Sequence, residues 1–210
     1  MILHGYWRSS AAYRVRIGLN LKGLAYEQVG HDLRAGEQHD PAYLAKVPQG
    51  LVPALEIDGR VLTQSLAILE WLDEIYPESP FLPTDPDARA AVRAMALVVA
   101  ADIHPVNNLR IVNALRDEFG ADSHAVVAWM QRWMAVGFDA LEVMVGEHGG
   151  RFAYGDAPGL ADIMLVPQWY NAERYRLDLA PWPRLAATVA NMKALPAVAA
   201  AAPELQPDAD

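Results

Sequence analysis

The chain has 210 residues, and its 17 lysines and arginines against 26 aspartates and glutamates give a formal charge of −9. That balance argues against a nucleic-acid groove, which needs clustered cationic side chains. Cysteine is absent, which excludes disulfides, a zinc knuckle, a cysteine nucleophile and a redox Cys-x-x-Cys pair.

Any thiol chemistry must therefore use a borrowed thiol, and the composition fits a cytoplasmic protein. Met1 to Arg8 lacks the basic flank and apolar run of a targeting segment. The longest apolar run, Met95 to Ala101, falls far short of the ~20 residues that cross a membrane. The expectation is no membrane segment.

In chain order, Ile2 to Tyr6 reads as a strand. Ser9 to Lys22 reads as a helix opened by two serines, with Arg14 and Arg16 alternating among Val15, Ile17 and Leu19. That alternation could also mimic a strand. Tyr26 to His31 is a second strand, and Pro41 to Lys46 a short helix or turn. Val52 to Ile57 and Arg60 to Leu62 flank Asp58-Gly59, a hairpin signal. Ser65 to Tyr76 carries a helical apolar face and stops at Pro77. Prolines 77, 80, 83 and 86 mark a linker. Beyond it, Ala88 to Phe119, Ser123 to His148, Leu160 to Tyr175 and Arg184 to Leu195 read as helical, and Pro105 should kink the first. This gives an α+β organisation: a mixed α/β domain at 1–80 and an all-helical domain at 88–210.

Several clusters could carry chemistry. Ser9 and Ser10 sit where a helix begins; they read either as caps or as hydroxyls that hold a thiolate ionised. Leu51-Val52-Pro53 opens a strand with a residue lacking an N–H; a cis bond there would bare the Val52 backbone to an extended peptide ligand. Gln64-Ser65 precedes a helix, with Ser65 as N-cap or as part of a carboxylate site. Asp102 to Arg110 places Asp102, His104, Asn107, Asn108 and Arg110 in an otherwise apolar helical region. Too few ligands lie near Asp102 and His104 to hold a metal, so the cluster is either structural or a ligand contact. Gly159 and Asp162 have capping-box spacing before an apolar helix.

In order, Trp7-Arg8-Ser9-Ser10, Tyr13-Arg14-Val15-Arg16-Ile17, Asn20-Leu21-Lys22-Gly23, Pro48-Gln49-Gly50-Leu51-Val52-Pro53, Thr63-Gln64-Ser65-Leu66-Ala67-Ile68 and Asp102-Ile103-His104-Pro105 resemble the zeta class of glutathione transferases over the whole chain. That class includes maleylacetoacetate and maleylpyruvate isomerases. Its usual Ser-Ser-Cys motif has Ala11 here, a change expected to alter efficiency more than reaction type. Gly159 stands where the class has Ser or Thr, at a cost of a few tenths of a kcal/mol.

The resemblance implies a thioredoxin-like domain that binds glutathione, followed by a helical domain that takes a small diacid. It implies a glutathione-dependent cis–trans isomerase of maleylacetoacetate or maleylpyruvate, in aromatic catabolism. A transferase or dehalogenase acting on small halo acids, or a non-catalytic glutathione-binding module, is the alternative. By position, Ser9 faces the glutathione sulfur with Ser10 and Arg8 beside it. Val52 and Pro53 would pair with the cysteinyl part, and Gln64 and Ser65 would hold the γ-glutamyl carboxylate. Gln38 and Gln49 would sit near the glycyl end. Asp102, His104 and Asn108 would approach glutathione across a homodimer. Arg8, Arg110 and Arg174 would surround the diacid.

Overall fold

Strand β1 (Ile2–Gly5) feeds helix α1 (Ser10–Leu21), which returns to strand β2 (Glu27–Gly30). β1 and β2 run parallel with Leu3 opposite Gln28, as a strand–helix–strand crossover requires. A 3₁₀ turn (Glu37–His39) and helix α2 (Pro41–Leu44) lead to the hairpin of β3 (Ala54–Ile57) and β4 (Arg60–Thr63). Asp58 and Gly59 both take positive φ, 49° and 74°, the tight geometry that Asp-Gly favours. Helix α3 (Ser65–Ile75) follows. The sheet order is β2-β1-β3-β4, with β3 antiparallel to β1. This is the thioredoxin-like arrangement that the resemblance implied. β3 starts two residues later than the sequence suggested, because Pro53 has no N–H to give the ladder. The coordinates come from a computed structural model that describes every residue from Met1 to Asp210.

α1 has almost no solvent face: Ser10 through Leu19 are all buried, Arg14 and Arg16 included. The alternation around Val15 and Ile17 is therefore not an amphipathic signal at all. α1 packs on α3 at Gly18, where a methyl group would overlap the Leu69 side chain. With no side chain at Gly18 the two helices meet there without displacing Leu69. At the end of α1, Lys22 Nζ pairs with Asp73 Oδ1 at 2.9 Å and also donates to the carbonyls of Tyr76, Glu78 and Ser79. The same ammonium lies 4.2 Å from the Phe81 ring centroid. One buried cation thus gathers the proline-rich segment that follows α3.

The second unit, Leu82–Lys193, contains α4 (Pro86–Leu97), a π-helical turn (Val98–Ile103), α5 (His104–Val106), α6 (Leu109–Asp117), α7 (Ser123–His148), α8 (Leu160–Arg174) and α9 (Pro183–Lys193). Residues 88–119, expected as one kinked helix, are instead broken into segments. Pro105 has no N–H for the carbonyl four residues back, and the wider π register lies directly before it. Asn108 then caps a new helix. α8 is the central helix, buried continuously from Leu160 to Trp169, and Phe138 stacks on Trp169 (5.7 Å) and meets Trp182 edge-on (5.2 Å). Asp162 accepts from the N–H groups of Gly159 (2.9 Å) and Ala153 (2.8 Å), so the capping expectation holds on the aspartate side. Burial pushes its carboxyl up to about 6 against the pull of those donors.

The helical domain expected over 88–210 stops short of the C-terminus: Ala194–Asp210 folds with Met1–Phe81 as the first unit. Helix α10 (Pro196–Ala199) lies on α1. Small side chains bring this tail close, and its carbonyls meet buried donors. Arg16 Nε donates to Ala201 O at 3.1 Å and Nη2 to Trp7 O at 2.9 Å. Asn20 Nδ2 reaches Ala197 O at 3.0 Å.

Candidate active site

After β1 the chain turns, with the Ser9 N–H donating to Tyr6 O at 2.9 Å. Ser9 takes the N-cap position of α1, and its Oγ accepts from the Ala12 N–H at 3.3 Å. The cap and the site are compatible. The oxygen accepts from the helix while the hydroxyl hydrogen remains a donor. The first-turn N–H groups and the helix dipole favour an anion at the same place. Ser9 and Arg8 are half-buried and Ser10 is buried. The Arg8 guanidinium lies 5.1 Å from the Trp7 ring centroid. The corner is held from behind: Asp208 accepts the Trp7 N–H at 2.9 Å, and Arg16 holds the Trp7 carbonyl.

The Val52–Pro53 bond is cis, and Val52 stands just outside the ladder. Tyr43 donates its hydroxyl to Leu51 O at 2.8 Å. Burial pushes that phenol up to about 12, so it stays a donor. Gly50 has φ +60°, and a methyl there would come within 2.8 Å of His39 Nδ1. Backbone and neighbours both demand glycine. Gln38 is buried with no donor to its Oε1. Gln49 is exposed and accepts from Gln64 Nε2 at 2.9 Å.

The start of α3 corrects one expectation. Gln64, not Ser65, occupies the N-cap position, and it makes no side-chain cap bond. Its backbone sits at φ 68°, ψ 115°, a left-handed value that costs a non-glycine residue about 1–3 kcal/mol and concentrates at functional sites. Ser65 is the first helical residue. Its hydroxyl is freed from capping and accepts from Arg14 Nη1 at 3.3 Å.

In the second unit, Asp102 lies exposed in the π-helical turn, and His104 is half-buried at the start of α5. Asn108 Oδ1 accepts from the Arg110 N–H at 3.1 Å. Asn107 Nδ2 donates to Met130 O at 3.4 Å, and Trp129 Nε1 to Val106 O at 2.9 Å. Asn107 and Asn108 therefore build the corner. Arg110 and Arg174 are both exposed. Arg174 Nη2 donates to the Tyr175 hydroxyl at 2.7 Å, with the guanidinium 4.6 Å from that ring's centroid. No three His, Asp or Glu side chains gather where they could hold a metal.

The first unit thus brings together Gln49 with Gln64, and Ser65 with α1. Sequence reasoning missed three supporting residues: Arg14, Tyr43 and Asp208. Arg14 left one trace, an arginine within an apolar helical run. Asp208 left none, since its partner is 201 positions away.

The residues present fit glutathione. Two helix N-termini offer donors for a thiolate and a carboxylate, and Arg14 and Gln38 hold buried polar atoms that no protein group satisfies.

The sequence profile of the glutathione S-transferase N-terminal domain matches residues 3–80. Maleylpyruvate isomerase of Ralstonia sp is 48% identical over 210 residues, covering 99% of each chain. The holo structure of a maleyl pyruvate isomerase, a bacterial zeta-class glutathione S-transferase, has a TM-score of 0.98 at 47% identity with 100% of each chain covered. Maleylacetoacetate isomerase from Anaeromyxobacter dehalogenans 2CP-1, with dicarboxyethyl glutathione and citrate in its active site, has a TM-score of 0.89 at 47% identity over 99% of this chain and 96% of its own. With full-length relatives at this identity and the fold described above, the chain belongs to the zeta-class glutathione transferase family.

Proposed function

We propose that the protein is a glutathione-dependent cis–trans isomerase that converts maleylacetoacetate or maleylpyruvate to its fumaryl isomer. When bound, glutathione supplies a thiolate that adds reversibly across the conjugated C=C bond, lets the resulting single bond rotate, and departs unchanged. Ser9 carries this reading: it caps α1 with its oxygen and keeps a hydrogen to donate to sulfur. A free thiol near pKa 8.5 is only a few per cent ionised at pH 7. A hydroxyl donor at a helix N-terminus raises that fraction.

The other residues divide by chemistry. Ser10 and Arg8 flank the sulfur. The Val52 backbone beside Pro53 pairs with the cysteinyl unit, Gln38 and Gln49 serve the glycyl end, and Gln64 and Ser65 serve the γ-glutamyl carboxylate. Arg8, Arg110 and Arg174 meet the diacid. No carboxylate of the protein pairs with Arg110 or Arg174, and planar guanidinium forks suit carboxylates. A cation beside the substrate carbonyl also stabilises the negative charge that develops there. The adduct in the Anaeromyxobacter relative supports the reading, because it contains the sulfur–carbon bond that addition to a four-carbon unsaturated diacid makes. We also place the enzyme in the cytoplasm, in aromatic catabolism, and as a homodimer in which Asp102, His104 and Asn108 serve glutathione held by the partner subunit.

The test is turnover with substoichiometric glutathione and each substrate in turn. The expected result is continued loss of the cis isomer with glutathione conserved. Glutathione consumed one for one would make the protein a conjugating transferase, and no isomerisation of either substrate would overturn the reading.

A further inference from the structure

α1 carries a cation that the isomerase chemistry above does not use. Arg14 is 2% exposed. Nη1 donates to Ser65 Oγ at 3.3 Å, whereas Nε and Nη2 find no acceptor. Burial pushes its pKa down to about 9 with no anion offsetting the loss of hydration. A buried charge without a partner is costly. The other buried cations of this unit are served differently. Lys22 has Asp73 and three carbonyls. Arg16 has two carbonyls. Arg14 has one neutral hydroxyl, and that hydroxyl opens α3, a helix whose N-cap residue, Gln64, makes no side-chain cap bond.

We infer that Arg14 is a positioning residue for the γ-glutamyl carboxylate of glutathione: it holds Ser65 Oγ from below, so that the Ser65 hydrogen points to the ligand, and it supplies the buried countercharge. The chemistry follows from the donor inventory. A hydroxyl that accepts from a guanidinium has its own hydrogen free to donate. A neighbouring cation polarises that O–H and strengthens its bond to a carboxylate. The uncapped N–H groups of α3 add to the same field. The inference deepens the proposed function and rests on its assignment of Ser65.

The test compares two ligands by calorimetry: glutathione, and γ-aminobutyryl-cysteinyl-glycine, which lacks only the γ-glutamyl carboxylate. Arg14→Met keeps much of the volume and removes the charge. It should weaken glutathione roughly 10- to 100-fold, the scale of a hydrogen bond to a charged group. Binding of the decarboxylated ligand should change by less than about threefold. Arg14→Lys should restore part of the discrimination. Equal weakening of both ligands would make Arg14 a packing residue and overturn the inference.

A measurement on the unaltered protein covers the case in which these variants do not fold. The preference for glutathione over its decarboxylated analogue is measured at low and high salt. A buried source is poorly screened and should hold the preference within about twofold, whereas exposed charges are screened over a Debye length of about 10 Å at 0.1 M and 3 Å at 1 M. Collapse of the preference in salt, or no preference at any salt, overturns the role of Arg14 but leaves the isomerase reading standing. Failure to bind glutathione at all removes both.

Discussion

The Ser9 hydroxyl meets two demands at once. Its oxygen caps α1 through the Ala12 N–H, and its hydrogen is the donor assigned to sulfur. Ser9→Ala should therefore cut isomerase turnover roughly a hundredfold or more, the scale of losing one charge-stabilising donor. The cap itself should cost only about 1 kcal/mol of stability. Steady-state kinetics with a denaturation curve separates the two effects, and unchanged turnover would remove Ser9 from the mechanism. The cap could be read from sequence because serine at the start of an apolar helical run is a favoured N-cap. The N-cap of α3 is Gln64 and not Ser65 because Gln64 takes a left-handed backbone, which residue identity does not announce. Arg14 escaped because arginine is mostly exposed, and only a neighbour 51 positions away reveals its burial.

Among the elements, α1, the Asp-Gly hairpin and α8 follow local signals closely: two serines at a start, a hairpin turn, an aspartate three residues inside a helix. The 88–119 stretch does not, since a proline says that a helix must adjust but not whether it kinks, shifts register or restarts. Here it does the last two. At the end of α1 the Lys22 ammonium is buried against Asp73. Lys22→Met should destabilise the protein by about 3–5 kcal/mol, because it leaves a buried carboxylate without its cation. Chemical denaturation measures this, and a loss below about 1 kcal/mol would show the pair to be dispensable.

For the whole molecule, the division into a mixed sheet unit and a helical unit was visible in the change of periodicity and in the proline-rich link. The return of Ala194–Asp210 to the first unit was not. An alanine-rich tail carries no pattern that names its partner, and its anchors are backbone carbonyls for Arg16 and Asn20 and a carboxylate for the Trp7 N–H. The tail thereby braces the corner that presents Ser9. Under the proposed function, a chain without a thiol of its own would fix a borrowed one as an anion at the mouth of α1. Ultraviolet titration of the thiol of bound glutathione tests this most directly. The account predicts a pKa roughly one to two units below the ordinary thiol value of ~8.5. A bound thiol that titrates like the free tripeptide would contradict it.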